Sequence, residues 1–170
     1  MPSPDTPSRL PLGSGTAVFS ECGSYRYLLT RNFDTGRGSC LFVMLNPSTA
    51  DAGTNDPTIR RCANFAKSWG YAELRIVNLF ALRSADPRNL EIVEDPIGAE
   101  NDRVLREELQ ASGSAIAAWG NMGAIRRRSS AVRKMMSDLK VSGMCLAHNV
   151  GGEPVHPLYV ATATRPRSLR

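Results

Sequence analysis

The run LFVMLNPSTADAGTNDPTIRR, residues 41–61, constrains the fold more than any other part of the chain. Residues 41–45 are all apolar, which matches a strand buried on both faces, as in a parallel sheet. The run stops at Asn46, Pro47 and Ser48, and from there to Thr58 nearly every residue is small, polar or proline. Asp56 before Pro57 marks a helix start, because the carboxylate accepts from a free N–H of the first turn and proline fits its first position. An ordinary strand-to-helix connection needs only about 2 to 6 residues. A longer polar loop at the end of a buried strand is where open α/β sheets hold ligands, so the loop is expected to be functional rather than a plain connection.

Similar units follow along the chain. Residues 57–69 carry apolar side chains at Ile59, Cys62, Ala63, Phe65, Ala66 and Trp69, the period of an amphipathic helix, and Gly70 ends it. ELRIVNLFA, residues 73–81, is a second buried strand interrupted by Asn78. That amide either bonds a neighbouring loop or is presented to a ligand, since leaving it unpaired costs about 1 to 3 kcal/mol. A polar loop over 82–96 leads to a helix over 97–111 and a third strand, SAIAAW, which ends in Gly120 and Asn121. A helix over 122–139 turns Arg126, Arg127 and Arg128 to solvent, and residues 143–147, with the run MCLA, form a fourth short strand. Upstream, short β-type runs over 16–20 and 25–31 form a hairpin.

Repeated strand-loop-helix units imply an α/β fold, α/β/α in three layers around a mostly parallel sheet, with the N-terminal hairpin added. In such a sheet the loops after the strands share one edge, so Asn46, Asn78, Asn121 and His156 are expected to converge. Residues 1–15 form a flexible tail, 16–164 a single domain and 165–170 a basic tail.

Other features narrow the chemistry. The apolar runs are too short to cross a membrane and the N-terminus lacks a signal-peptide core, so a cytoplasmic protein is expected. Cys22, Cys40, Cys62 and Cys145 are too far apart for paired metal knuckles and are read as mainly buried small hydrophobes. His148 and His156 fit no zinc spacing, so neither a metal nor another cofactor is expected. Neither a Walker-type phosphate loop nor GxGxxG, GxSxG or HExxH is present. A net charge of +5 permits a polyanionic partner without requiring one. Amides, an imidazole and the carboxylates Asp51, Asp56 and Glu153 remain at strand ends. Asparagine can read the edge of a nucleobase, and histidine can donate to a developing anion.

The blocks FSECGSYRYLLTRN, MLNPSTADAGTNDPTIRR, IVNLFALRSADP, DPIGAEND, AWGN and GEPVHPLY together resemble the domain of unknown function 1643 family, which brings no established activity. The order of the blocks also resembles the uracil-DNA glycosylase superfamily. That resemblance implies that Asn46 in MLNPS positions an attacking water, that Asn78 reads the base and that His156 of His156-Pro157 steadies the departing base. It matches Trp119-Gly120 to a third strand end. Asp51 or Asp56 would assist with the water, and Phe80 or Tyr159 would stack on the ring. Pro47, Ser48, Trp119, Asn121 and Pro157 would line the substrate site, and Arg126, Arg127 and Arg128 would contact a nucleic-acid backbone. The most active branch has a carboxylate where Asn46 stands, and Leu158-Tyr159 replaces its duplex wedge.

The reading implied is a nucleobase-recognising N-glycosidase-like hydrolase acting on DNA or nucleosides. Set against it are a non-catalytic binder of nucleotides or nucleic acid, and an unrelated small-molecule enzyme on the same sheet.

Overall fold

The computed structural model describes residues 14–48 and 56–170. Asp51, one of the expected catalytic residues, lies outside the described residues. The strands are β1 (Ala17–Phe19), β2 (Arg26–Asn32), β3 (Ser39–Met44), β4 (Glu73–Asn78), β5 (Ser114–Ala117), β6 (Ser142–Cys145) and β7 (Arg167–Ser168). The helices are α1 (Pro57–Ser68), α2 (Asn89–Ile92), α3 (Asn101–Ser112) and α4 (Arg128–Asp138), with 3-10 turns over Asn121–Arg127 and Pro157–Tyr159.

The apolar run after Ser39 forms β3, and residues 40–44 are buried as a central parallel strand requires. The sheet order is β1-β2-β4-β3-β5-β6-β7. β3 pairs in parallel with β4 and β5, and β5 with β6, while the β1–β2, β2–β4 and β6–β7 ladders are antiparallel. The sheet is therefore mixed rather than mostly parallel. Antiparallel strands flank a parallel centre of four strands, and it is this centre that puts consecutive carboxyl ends along one edge.

Successive side chains of a strand point to opposite faces, and the core divides accordingly. Leu41 and Val43 of β3 join one apolar cluster with Leu105 of α3 and Met136 of α4. Cys40, Phe42 and Met44 join the other with Ile59, Cys62 and Phe65 of α1. Phe65 and Phe42 stack on Trp69 with ring centres 5.3 and 6.2 Å away. Each such fully buried side chain stabilises the fold by roughly 1.5 to 3 kcal/mol.

Helix α1 begins as its sequence implies: Asp56 caps it by accepting from Ile59 N at 2.8 Å, with Pro57 next. Elsewhere the chain departs from expectation. The second strand stops at Asn78, and the helix expected from residue 97 begins at Asn101. The loop over 82–96 contains the short helix α2. The helix expected over 122–139 is broken, because Arg126 and Arg127 adopt left-handed backbone at φ 52° and 56° before α4 begins. Left-handed conformation is uncommon in non-glycine residues and leaves no mark in composition. Residues 167–168 of the basic tail pair with β6 as β7, and Ser14 O accepts from Asn32 N at 2.7 Å beside β2. Cys40, Cys62 and Cys145 are buried, but Cys22 is exposed. None of the described helices is long and apolar enough to cross a membrane.

Candidate functional site

At the carboxyl end of the parallel strands lies a cavity of about 230 Å³. Asn46 and Ser48 reach it from the loop after β3, Asn78 from the last position of β4, Trp119 from just beyond β5 and His156 from the chain after β6. Asp56 and Thr58 enter it from the start of α1, and Arg26 from the start of β2. Met44, Ile59 and Ile76 supply apolar wall. Pockets for drug-sized ligands run to about 300–1,000 Å³, so this one suits a single small ring.

Several of these polar groups are already committed. The Asn46 amide nitrogen donates to the main-chain oxygens of Pro47 at 3.0 Å, Ser84 at 3.0 Å and Leu82 at 3.3 Å. It thereby ties the loops after β3 and β4 together, and only its carboxamide oxygen keeps full capacity, as an acceptor. Asp56 uses Oδ1 to cap α1 and takes the Ser48 hydroxyl on Oδ2.

Other groups retain capacity. Asn78 is 1% exposed, and its amide nitrogen has no hydrogen-bond partner among the described residues. An unpaired buried donor costs about 1 to 3 kcal/mol, which a bound acceptor would remove. His156 accepts from Leu158 N on Nδ1 at 3.2 Å, so its neutral ring carries the proton on Nε2. Burial lowers the pKa of this imidazole, against the opposing pull of Asp56. His156 is therefore biased toward the neutral form, a donor at one nitrogen.

A set of supporting residues was not anticipated. Fully buried Asn101 donates to the main-chain oxygens of Asn78 and Leu79, and Nε of Arg128 bonds the latter oxygen at 2.7 Å. Glu153, a strand-end carboxylate by sequence, accepts from the Trp119 indole N–H and, at 2.8 Å, from the Ser129 hydroxyl. It fixes the tryptophan against the cavity. Arg26 was missed because a charged residue opening a strand reads as solvent-facing. Nothing local in the sequence reports its burial.

Other expected site residues lie apart from the cavity. Phe80 is wholly buried in the core, where it cannot stack on a ligand. Asn121 is exposed at the start of a 3-10 turn, while Pro47 and Pro157 are buried and neither lines the cavity. Tyr159 is 81% exposed, with its ring centre 5.8 Å from that of His156. The basic run does not face solvent as a unit. Arg128 is 5% exposed and ion-paired to Asp102, and Arg126 bonds the main-chain oxygens of Glu91, Val93 and Glu94. Only Arg127 of the three is exposed without such a bond among those described. A larger cleft of about 570 Å³ lies at the opposite strand ends, where Arg75 is paired to Glu73 and Glu108. Among the described residues, none that lines it has a buried polar atom left unpaired.

Among the described residues, the fold and site define an α/β protein with a mixed seven-stranded sheet and a small polar cavity at its parallel strand ends. Residues 26–158 match the family model described as "Protein of unknown function (DUF1643)", and the chain belongs to that family. No curated protein and no solved structure matches the chain.

Proposed function

We propose that the cavity binds a single nucleobase and that the chain is an N-glycosidase-like hydrolase acting on DNA or nucleosides. The observation that carries this is the unpaired amide nitrogen of buried Asn78 in a cavity shared with Asn46 and His156. In this reading the helices and sheet form the three-layer α/β/α arrangement of uracil-DNA glycosylases. Asn78 donates to an acceptor on the base edge, and the Nε2–H of His156 donates to the base as it departs. The carboxamide oxygen of Asn46 accepts from a water. The bond from the sugar to the base nitrogen breaks, and its electron pair leaves with the base. The water oxygen bonds to the sugar carbon, and the proton it loses neutralises the base. Exposed Tyr159, whose ring lies beside that of His156, is the residue that in this reading stacks on a neighbouring ring.

The test is release of free base from uracil-, hypoxanthine- and damage-containing DNA and from nucleosides. Release that disappears in Asn78→Ala and His156→Ala supports the proposal. No release above the His156→Ala control on any of these substrates removes it.

The engagement of both Asp56 oxygens favours a second reading, in which the cavity binds a base or nucleotide without turning it over. Asp56 is the one carboxylate among the described residues of the cavity, and a capping carboxylate is poorly placed to activate water. Binding that depends on Asn78 with no released base identifies this case.

A further inference from the structure

Arg83 has no part in the scheme above. It lines a second cleft, of about 310 Å³, beside Gly23 and Ser24, and Ser48, Ser84 and Ala85 line both that cleft and the cavity. The two spaces thus share a wall. Arg83 N donates to Ser24 O at 2.9 Å, which ties the loop after β4 to the turn between β1 and β2. The guanidinium of this half-buried residue lies over the Phe19 ring at 4.8 Å, and its Nη1 donates to Gly23 O at 3.1 Å. Its Nε is buried without a hydrogen-bond partner, and its Nη2 makes no bond among the described residues. Nε and Nη2 form one edge of the guanidinium fork, the edge with which Arg75 grips both carboxylate oxygens of Glu108. In Arg83 that edge is unspent, its charge is permanent, and no carboxylate among the described residues pairs with it. The hydroxyls of the shared wall are engaged, Ser48 donating to Asp56 and Ser84 to Asp86 O. What the cleft offers is one bidentate grip for an oxyanion.

We propose that this cleft holds the phosphate of the nucleotide whose base enters the cavity, and that Arg83 grips two of its oxygens. The inference rests on the reading of the cavity as a base site and adds to it the substrate class: a nucleotide, free or within a strand, in preference to a nucleoside. A phosphate hangs one sugar away from its base, and two spaces with a common wall suit such a pair.

The experiment is calorimetric titration of the full chain at low salt with the 2′-fluoro-2′-deoxynucleosides of uracil and hypoxanthine, which resist loss of the base, and with their 5′- and 3′-monophosphates. Wild type is expected to bind a monophosphate roughly tenfold or more tighter than its own nucleoside. Arg83→Gln and Arg83→Met should bring that ratio close to one and leave nucleoside affinity unchanged. Arg83→Lys should keep part of it, because a point charge replaces the fork. Thermal melting of each variant checks the fold; if neither neutral variant folds, the wild-type ratio and its fall on adding salt decide. Equal wild-type affinities for nucleoside and monophosphates, or a preference that survives in a folded neutral variant, overturn the role of Arg83 and leave the base site standing. Failure of wild type to bind any of these ligands overturns the base site and this inference together.

Discussion

Asn101, the first residue of α3, donates its amide nitrogen to the main-chain oxygens of Asn78 at 3.0 Å and Leu79 at 3.1 Å. A helix start thus fastens the end of β4, where the chain presents an amide to the cavity. Asn101→Ala leaves the Asn78 oxygen without that partner, while the Leu79 oxygen keeps Arg128. The expected loss is about 1 to 3 kcal/mol, nearer the low end because the Asn101 carboxamide oxygen is itself unpaired. Urea unfolding measures it, and a midpoint equal to wild type would contradict the fastening.

Arg128 and Arg127 are neighbours with opposite surroundings. Arg128 is buried, bonds Leu79 O and pairs with Asp102, whose side chain is 43% exposed. Because water screens the aspartate, Arg128→Ala should cost about 2 kcal/mol, less than the loss of a fully buried pair. Arg127→Ala changes an exposed side chain and should stay within about 0.5 kcal/mol of wild type. Equal effects of the two substitutions on denaturant midpoints would sink the distinction.

That contrast marks where the sequence stops being legible. The residue 40–44 strand, the α1 period and the Asp56 cap are local signals, and each has its counterpart in the fold. The positions of Asn46, Asn78 and His156 followed from strand order, because parallel neighbours share an edge. Nothing local distinguishes Arg126 and Arg127 in left-handed backbone from two turns of basic helix. Burial of Arg26 and Arg128, and the pairing of β7, depend on partners far along the chain. Phe80 read as a ligand-stacking ring because strand ends carry both ligands and core, and aromatic character does not separate them.

Gly123 lies against the indole of Trp119 in the cavity wall. A Cβ there would come within 2.1 Å of Trp119 Cδ1 and 2.6 Å of Nε1. The ring cannot easily yield, since it is 1% exposed and its N–H is held by Glu153. Gly123→Ala should destabilise by about 1 to 3 kcal/mol and shift the tryptophan emission, read in a Trp69→Phe background. Unchanged emission and stability together would mean that the close approach is not present.

Cys22 is the exposed member of the four cysteines, with Ser20 Oγ 3.4 Å from its sulfur. Hydrogen bonds from Ser20 and then Ser24 stabilise the thiolate and bring its pKa down to about 7, whereas burial pushes Cys40 up to about 12. Iodoacetamide at neutral pH should therefore alkylate Cys22 well before the other three, as peptide mass mapping would reveal. Ser20→Ala should move half-maximal reactivity to higher pH. Labelling of Cys40 or Cys62 at a comparable rate from the folded protein would refute the assignment.

His156 gives the fold a pH dependence whose sign is fixed by burial. Its folded-state pKa lies below the ordinary 6.5, so on acidification the unfolded chain takes up a proton at this site before the folded chain does. The stability linked to this imidazole is therefore fully present above about 6.5 and falls as pH drops from there toward the folded-state value. His156→Asn should flatten that part of the stability curve, and the ring protons of His156 should titrate with a midpoint below 6.5. The same neutral ring, accepting from Leu158 N on Nδ1, keeps its Nε2–H for the cavity, so nitrogen shifts should report the Nε2–H tautomer at neutral pH. Because the neutral form already supplies that donor, base binding at mildly acid pH should persist after the free imidazole of an unfolded chain would have become charged. A midpoint at or above 6.5, or the opposite tautomer, would remove both the stability effect and the donor role of His156 together.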